Sequence, residues 1–111
     1  MEQLSLCSFI PELMDLENVS DEEVISIINN NLGTNFLYNQ SRQEYEYKIK
    51  KVKLSISFSR YSFGNHERIV CTDMDWKNSG IGIPNDSIMD ALDSVRRFLI
   101  KAEGINNKKV S

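Results

Sequence analysis

The chain has 111 residues, of which 41% are hydrophobic and 26% charged, a composition that makes one globular domain and excludes disordered, collagenous and disulfide-scaffold proteins. No window approaches the roughly 18 apolar residues of a membrane span, and Met1-Glu2-Gln3 lacks the basic start of a secretory signal, so a cytoplasmic protein with no membrane partner is expected. The formal net charge of −3 hides a polarised chain: residues 1–40 hold seven acids and no lysine or arginine, residues 41–70 hold seven bases against three acids, and the remainder balances at six and six.

Residues 4–16 mix apolar side chains with an interrupting Pro11 and read as an arm that turns at the proline. Ser20-Asp21-Glu22-Glu23 is a capping box and starts a helix, whose apolar face is Val24, Ile27, Ile28 and Leu32 and whose left-handed stop is Gly33. A short apolar stretch, Phe36-Leu37-Tyr38, leads into a polar loop at 39–44. From Tyr45 the period changes to two. Tyr45, Tyr47 and Ile49 share a face, as do Val52, Leu54, Ile56 and Phe58, and the parity slips at Lys50-Lys51. With no Gly, Asn or Pro at the slip, a bulge or a continuous bent strand is expected there rather than a hairpin turn.

Phe63-Gly64-Asn65-His66-Glu67 carries turn residues and predicts a β-hairpin with Arg68 to Trp76, in which Val70, Thr72, Met74 and Trp76 oppose Ile69, Cys71, Asp73 and Asp75. Lys77-Asn78-Ser79-Gly80 predicts a further turn, and Ile81-Gly82-Ile83 a short strand. The last helix is capped by Asp86 or Ser87. It carries an apolar stripe of Ile88, Ala91, Leu92, Val95, Phe98, Leu99 and Ala102, with acids early and Arg96, Arg97 and Lys101 late, as the helix dipole favours. Gly104 is expected to end it.

The expected fold is therefore α+β: a helix, a three- or four-stranded antiparallel sheet and a C-terminal helix, with both helices on one sheet face and the other face wet. A single domain spans 1–111, with an N-terminal arm at 1–19 and a flexible tail at 105–111.

Four groups of residues carry candidate chemistry. Gly80 and Gly82, leading toward a helix N-terminus, could bring backbone amides to a phosphate, with Arg96 nearby. The spacing is neither a dinucleotide fingerprint nor a phosphate loop, Asp86 places a negative charge where an anion would sit, and a plain β-to-α turn accounts for the same residues. The bases Arg42, Lys48, Lys50, Lys51, Lys53, Arg60 and Arg68 interleave with Tyr45, Tyr47, Phe58, Tyr61, Phe63 and Trp76 and suggest a nucleic-acid surface on which bases stack. A sequence pI near 5.1 argues instead for a solvated strand face. Asp73, Asp75, His66, Ser57, Ser59 and Cys71 are the residue types of acid–base or nucleophilic catalysis, but no spacing pairs them, so no catalytic residue is assigned and an enzyme is not expected. Glu17, Asp21 and Glu22 form an acidic surface that could dock a basic partner, although helix N-terminal preference explains part of it. The single histidine and the absence of Cys-x-x-Cys or His-x-x-x-His spacing exclude the usual zinc sites, and no cofactor is expected. Cys7 and Cys71 read as buried free thiols.

Over Ser57 to Leu99 the hairpin strand, the turn Gly80, Gly82, Pro84, Asp86 and Ser87, and the following amphipathic helix with a late arginine resemble small accessory proteins of bacteriophages and mobile elements. That resemblance implies counter-defence, by binding a host protein or protein complex or by sequestering a nucleotide signal, and it carries over no catalytic residue. The helix, sheet, helix order is also similar to that of double-stranded RNA-binding domains. Here, however, Asn85-Asp86-Ser87 stands where those domains use a lysine cluster. The expected function is stoichiometric binding of a host protein through the sheet end that carries Arg60, His66, Arg68 and Trp76. Nucleotide sequestration is the alternative, nucleic-acid binding is less favoured, and a homo-oligomer remains open.

Overall fold

In a computed structural model, which describes residues 15–77 and 79–107, the capping box forms as its spacing implies. The Ser20 hydroxyl accepts from the Glu23 amide at 3.1 Å and the Glu23 carboxylate accepts from the Ser20 amide at 2.9 Å. Helix α1 runs from Asp21 to Leu32 and stops at Gly33, whose φ of 67° only glycine adopts without strain. A 3₁₀ turn at Leu16–Asn18 precedes it. Five strands follow, β1 (Leu37–Asn39), β2 (Glu44–Ile49), β3 (Val52–Arg60), β4 (Arg68–Trp76) and β5 (Ser79–Asn85), then helix α2 (Ile88–Asn107). Ser87 caps α2, its hydroxyl accepting from the Asp90 amide at 3.1 Å.

The sheet is an antiparallel meander in chain order, with β1 and β5 at its edges. It has five strands, one more than the upper limit expected. The extra strands come from two places where local signals mislead. Leu37-Tyr38-Asn39 pairs with Glu44–Glu46, making an edge strand of residues assigned to an apolar stretch and a loop. At Lys50-Lys51 the chain makes a two-residue hairpin turn, closed by the Ile49–Val52 pair, in place of the expected bulge. Lys50 takes the left-handed φ of 53° that a Gly or Asn would adopt more readily. The turn is bracketed from 55 residues away: the Asn106 side chain donates to the Ile49 carbonyl at 2.8 Å and accepts from the Lys51 amide at 3.3 Å.

That contact also corrects the end of α2. The helix continues through Gly104 to Asn107, with Ile105 packed on the core and Asn106 tied to the hairpin, so the tail expected from 105 does not begin there.

One face of the sheet is apolar. Val52, Leu54, Ile56, Val70 and Met74 are buried together with Val24, Ile27 and Ile28 of α1 and Ile88, Leu92, Val95 and Phe98 of α2 in a single core. The alternation of β4 places Val70, Thr72 and Met74 inward and Cys71, Asp73 and Asp75 half-buried on the opposite face. Beneath α2 lies a small polar network. Asn85 donates to the Val70 and Ile83 carbonyls at 2.9 and 3.1 Å, and its carbonyl accepts from the Ser94 hydroxyl at 2.6 Å. With each partner satisfied, the network fixes how α2 sits on β4 and β5 rather than adding an orphaned polar group to the core. Cys71 is a free, half-buried thiol; Cys7 and the arm up to residue 14 lie outside the described residues. Among the described residues no helix is long and apolar enough to cross a membrane.

Candidate functional site

The antiparallel register sets Arg60 opposite Arg68 at the end of the β3–β4 hairpin. Two arginines side by side repel, and the fold answers with the acidic segment that precedes α1. Glu17 accepts from the Arg60 guanidinium at 3.1 and 3.2 Å and from the Arg68 amide at 2.8 Å. The Arg68 guanidinium reaches deeper. It donates to the Leu16 carbonyl at 2.6 Å, to the Val19 carbonyl and to the Asp21 carboxylate, and it lies 5.0 Å from the centroid of the Phe58 ring. Its side chain is only 11% exposed. Part of the polarised charge of the chain is thus paired within the molecule, where Arg60 and Arg68 of the basic hairpin hold Glu17 and Asp21 and keep the 3₁₀ turn against the sheet. The Arg68 amide and then the Arg60 guanidinium hold the Glu17 carboxyl below its ordinary value.

The loop beyond these arginines is held by its own contacts. The Tyr61 amide donates to the Glu67 carbonyl at 3.0 Å, and Arg60 donates to the His66 carbonyl at 3.1 Å. His66 Nδ1 lies 3.1 Å from the Tyr61 carbonyl, so a proton on that nitrogen donates to it. The Tyr61 hydroxyl donates to Asp86 at 2.6 Å, pinning the loop to the junction of β5 and α2, and this hydrogen bond raises the phenol's pKa. His66 supplies the left-handed φ of 54° and Gly64 one of 74°. These contacts close the base of the loop, which presents Phe63 at its tip, 88% exposed.

Of the sheet-end residues expected from sequence, the structure brings together Arg60, His66 and Arg68, with Glu17 and Asp21 of the acidic set. Trp76 is not among them. It pairs with Ser79 at the far end of β4, about 26 Å along the strand at a rise of roughly 3.3 Å per residue. Its ring packs partly on the core beneath Lys77, and its indole nitrogen has no hydrogen-bond partner among the described residues. Arg96 is exposed on α2 and Glu22 on α1, where the Tyr45 hydroxyl reaches the Glu22 carboxylate at 3.4 Å. Gly80 and Gly82 do not form a turn before a helix: both lie in β5, paired with Asp75 and Asp73. A Cβ on Gly82 would meet Asp73 Oδ1 at 2.5 Å, so the glycine makes room for that carboxylate.

The residues of the catalytic hypothesis divide between places. Ser57, Ser59, Cys71, Asp73 and Asp75 share the polar face, with Ser59 Oγ 3.7 Å from Cys71 Sγ, while His66 sits in the loop. Burial, then the neighbouring Asp75, raises the Asp73 pKa. Among the described residues no group of three His, Cys, Asp or Glu is placed to hold a metal ion. A concavity of about 690 Å³, open to solvent, lies along β1 and β2 between Leu37, Tyr38, Tyr47, Lys48 and Lys53.

From sequence, Tyr61 and Phe63 stand only among the aromatics interleaved with the basic run, and Asp86 only as a helix cap and as a charge opposing an anion; nothing local joins the three at one site. No local signal states that an aromatic will be held out in water. Comparison with family models, with characterised proteins and with solved structures finds no significant match.

Proposed function

We propose that this chain is a non-enzymatic binding protein that acts in the cytoplasm by stoichiometric engagement of a protein partner, with the β3–β4 loop as its first contact. The observation that carries this reading is Phe63, exposed on a loop whose base is closed by the Tyr61, His66 and Arg60 contacts. Burying one such ring in a partner pocket is worth about 2 kcal/mol. Closing the loop base in advance reduces the conformational entropy lost on binding. Aromatic anchors flanked by arginine are the residue types that dominate protein–protein contacts.

The charge pattern supports a protein partner over a nucleic acid. Arg60, Arg68, Arg42 and Lys53 each face a carboxylate of the same chain, at Glu17, Asp21, Glu44 and Glu46, which leaves few of the basic residues between 41 and 70 unneutralised for a phosphate backbone. The nucleotide-sequestering alternative is weakened because its glycines are strand residues. The resemblance to phage accessory proteins extends the proposal to inhibition of a host defence protein or complex.

The test is capture from host lysate by wild type and by Phe63→Ala, analysed for proteins and small nucleotides together. Phe63 makes no core contact, so the variant folds. One stoichiometric protein, bound at least tenfold more weakly by the variant, is the expected result. Recovery of a nucleotide without protein, or equal capture by both forms, would overturn the reading.

A further inference from the structure

We propose that β5 is a homodimerisation edge, pairing antiparallel with β5 of a second copy about Gly82 to continue two five-stranded sheets into one of ten. The inference begins with Pro84. Proline has no N–H, so its pair with Cys71 is a pair without ladder hydrogen bonds, and its carbonyl points away from β4. Gly82, opposite Asp73, and Gly80, opposite Asp75, fall in the same alternate class. Their N–H and C=O groups therefore face the open side of the sheet, where among the described residues no strand pairs with them.

An antiparallel copy centred on Gly82 meets these groups with its own. Gly82 exchanges both ladder bonds with Gly82 of the other copy, and each Gly80 amide donates to the other copy's Pro84 carbonyl. The two prolines forfeit the return bonds only. On the helix-bearing face the same register sets Ile81, 42% exposed, against the other copy's Ile83, so the largest apolar side chain on this edge is covered. On the opposite face the edge residues Gly80, Gly82 and Pro84 present no bulky side chain, which lets two backbones approach.

Charge favours a second copy of this chain over an unrelated strand. Ser79 to Asn85 holds no charged residue, and the strand is flanked by Lys77 at one end and Asp86 at the other. Pairing about Gly82 puts Lys77 of each copy beside residues 86–87 of its mate, so a cation meets a carboxylate at both ends. Helix α2 repeats the pattern. Ser94 bonds to Asn85 of β5, which places the stripe of Asp90, Ser94, Arg97 and Lys101 over the outermost strand, with its acid early and its bases late. Run antiparallel, that stripe sets each copy's Asp90 toward the other's Lys101. An edge of seven residues without charge or bulge, open among the described residues and blunted only by Pro84, is otherwise an aggregation hazard, and self-pairing removes it. The contact area is at the small end for specific interfaces, below roughly 1,200 Å², so the dimer is weak and forms over a micromolar to millimolar range.

The experiment joins sedimentation equilibrium with amide hydrogen exchange on the full chain across that range. The expected result is a monomer–dimer equilibrium in which protection of the Gly80 and Gly82 amides rises at least tenfold with concentration. Ile81→Lys should retain the native circular dichroism spectrum and weaken dimerisation at least tenfold. A monomer throughout overturns the proposal. So does a dimer whose Gly80 and Gly82 amides stay unprotected, and so does protection independent of concentration, as a segment of the same chain covering the edge would give. The exchange readout uses wild type, so it decides the matter even if the lysine variant fails to fold. It is also independent of Phe63, and loss of one proposal leaves the other intact.

Discussion

Replacing Arg68 with alanine removes the most buried of the charged side chains that tie the acidic 3₁₀ turn to the sheet. The guanidinium donates to the Leu16 and Val19 carbonyls and to Asp21, and lies over Phe58. Charge-assisted bonds to backbone carbonyls at a side chain this buried are worth about 1.5 kcal/mol each, at the lower end of their range. The ion pair counts for less, about 0.5 kcal/mol, because Asp21 is 45% exposed and its carboxylate rehydrates. The cation–π contact adds about 0.5 kcal/mol. Since the freed carbonyls recover some water when the turn lifts, the net loss is about 3 kcal/mol, or roughly 10 °C in Tm for a chain of this size. Urea titration reads it as a lower midpoint at unchanged slope. Arg60→Ala is the matched control: its side chain is 53% exposed and its partner Glu17 42% exposed, so its loss stays below about 1 kcal/mol. Equal losses for the two variants would refute the reasoning, because they would mean that burial of the guanidinium contributes nothing.

Two further outcomes follow from the same geometry. The folded-state pKa of Glu17 is lowered, so its contribution to stability is present above the unfolded value near 4.5 and is lost as pH falls through the lower folded value. Glu17→Gln therefore flattens the acid limb of wild-type stability as pH falls below about 4.5, and an unchanged limb in urea titrations at stepped pH would contradict the assignment. Asn106→Ala removes both bonds that bracket the Lys50-Lys51 turn, costs about 1 kcal/mol and speeds exchange of the Lys51 amide; exchange at the wild-type rate would show that the hairpin closes without the helix.

Local chemistry was sufficient for those elements whose forces lie within a few residues of one another. The Ser20–Glu23 box, the Gly33 stop, the Ser87 cap and the alternation along β3 and β4 are all readable, because a capping hydroxyl or a two-residue period acts over one turn or one pleat. The α+β class and the polar face carrying Cys71, Asp73 and Asp75 follow from the same periods.

Tertiary structure decided the rest, and in each instance the deciding atoms lie far away in the chain. In the β1–β2 and β2–β3 connections the positive φ falls on Gln43 and Lys50, so the glycine and asparagine signals that announce a turn are missing at the residue that makes it. At Lys50 the conformation is held by Asn106, 55 residues beyond Lys51, and Asn106 in turn carries α2 past the Gly104 that would otherwise stop it. The charge polarity between residues 1–40 and 41–70 is plain in the sequence, yet its meaning is not. Read linearly it describes two surfaces for partners; folded, Glu17 and Asp21 lie against Arg60 and Arg68 and become an internal clasp. Composition counts charges, whereas pairing depends on register, and only the β3–β4 ladder places Arg68 beneath the turn that needs it and leaves Phe63 in the solvent.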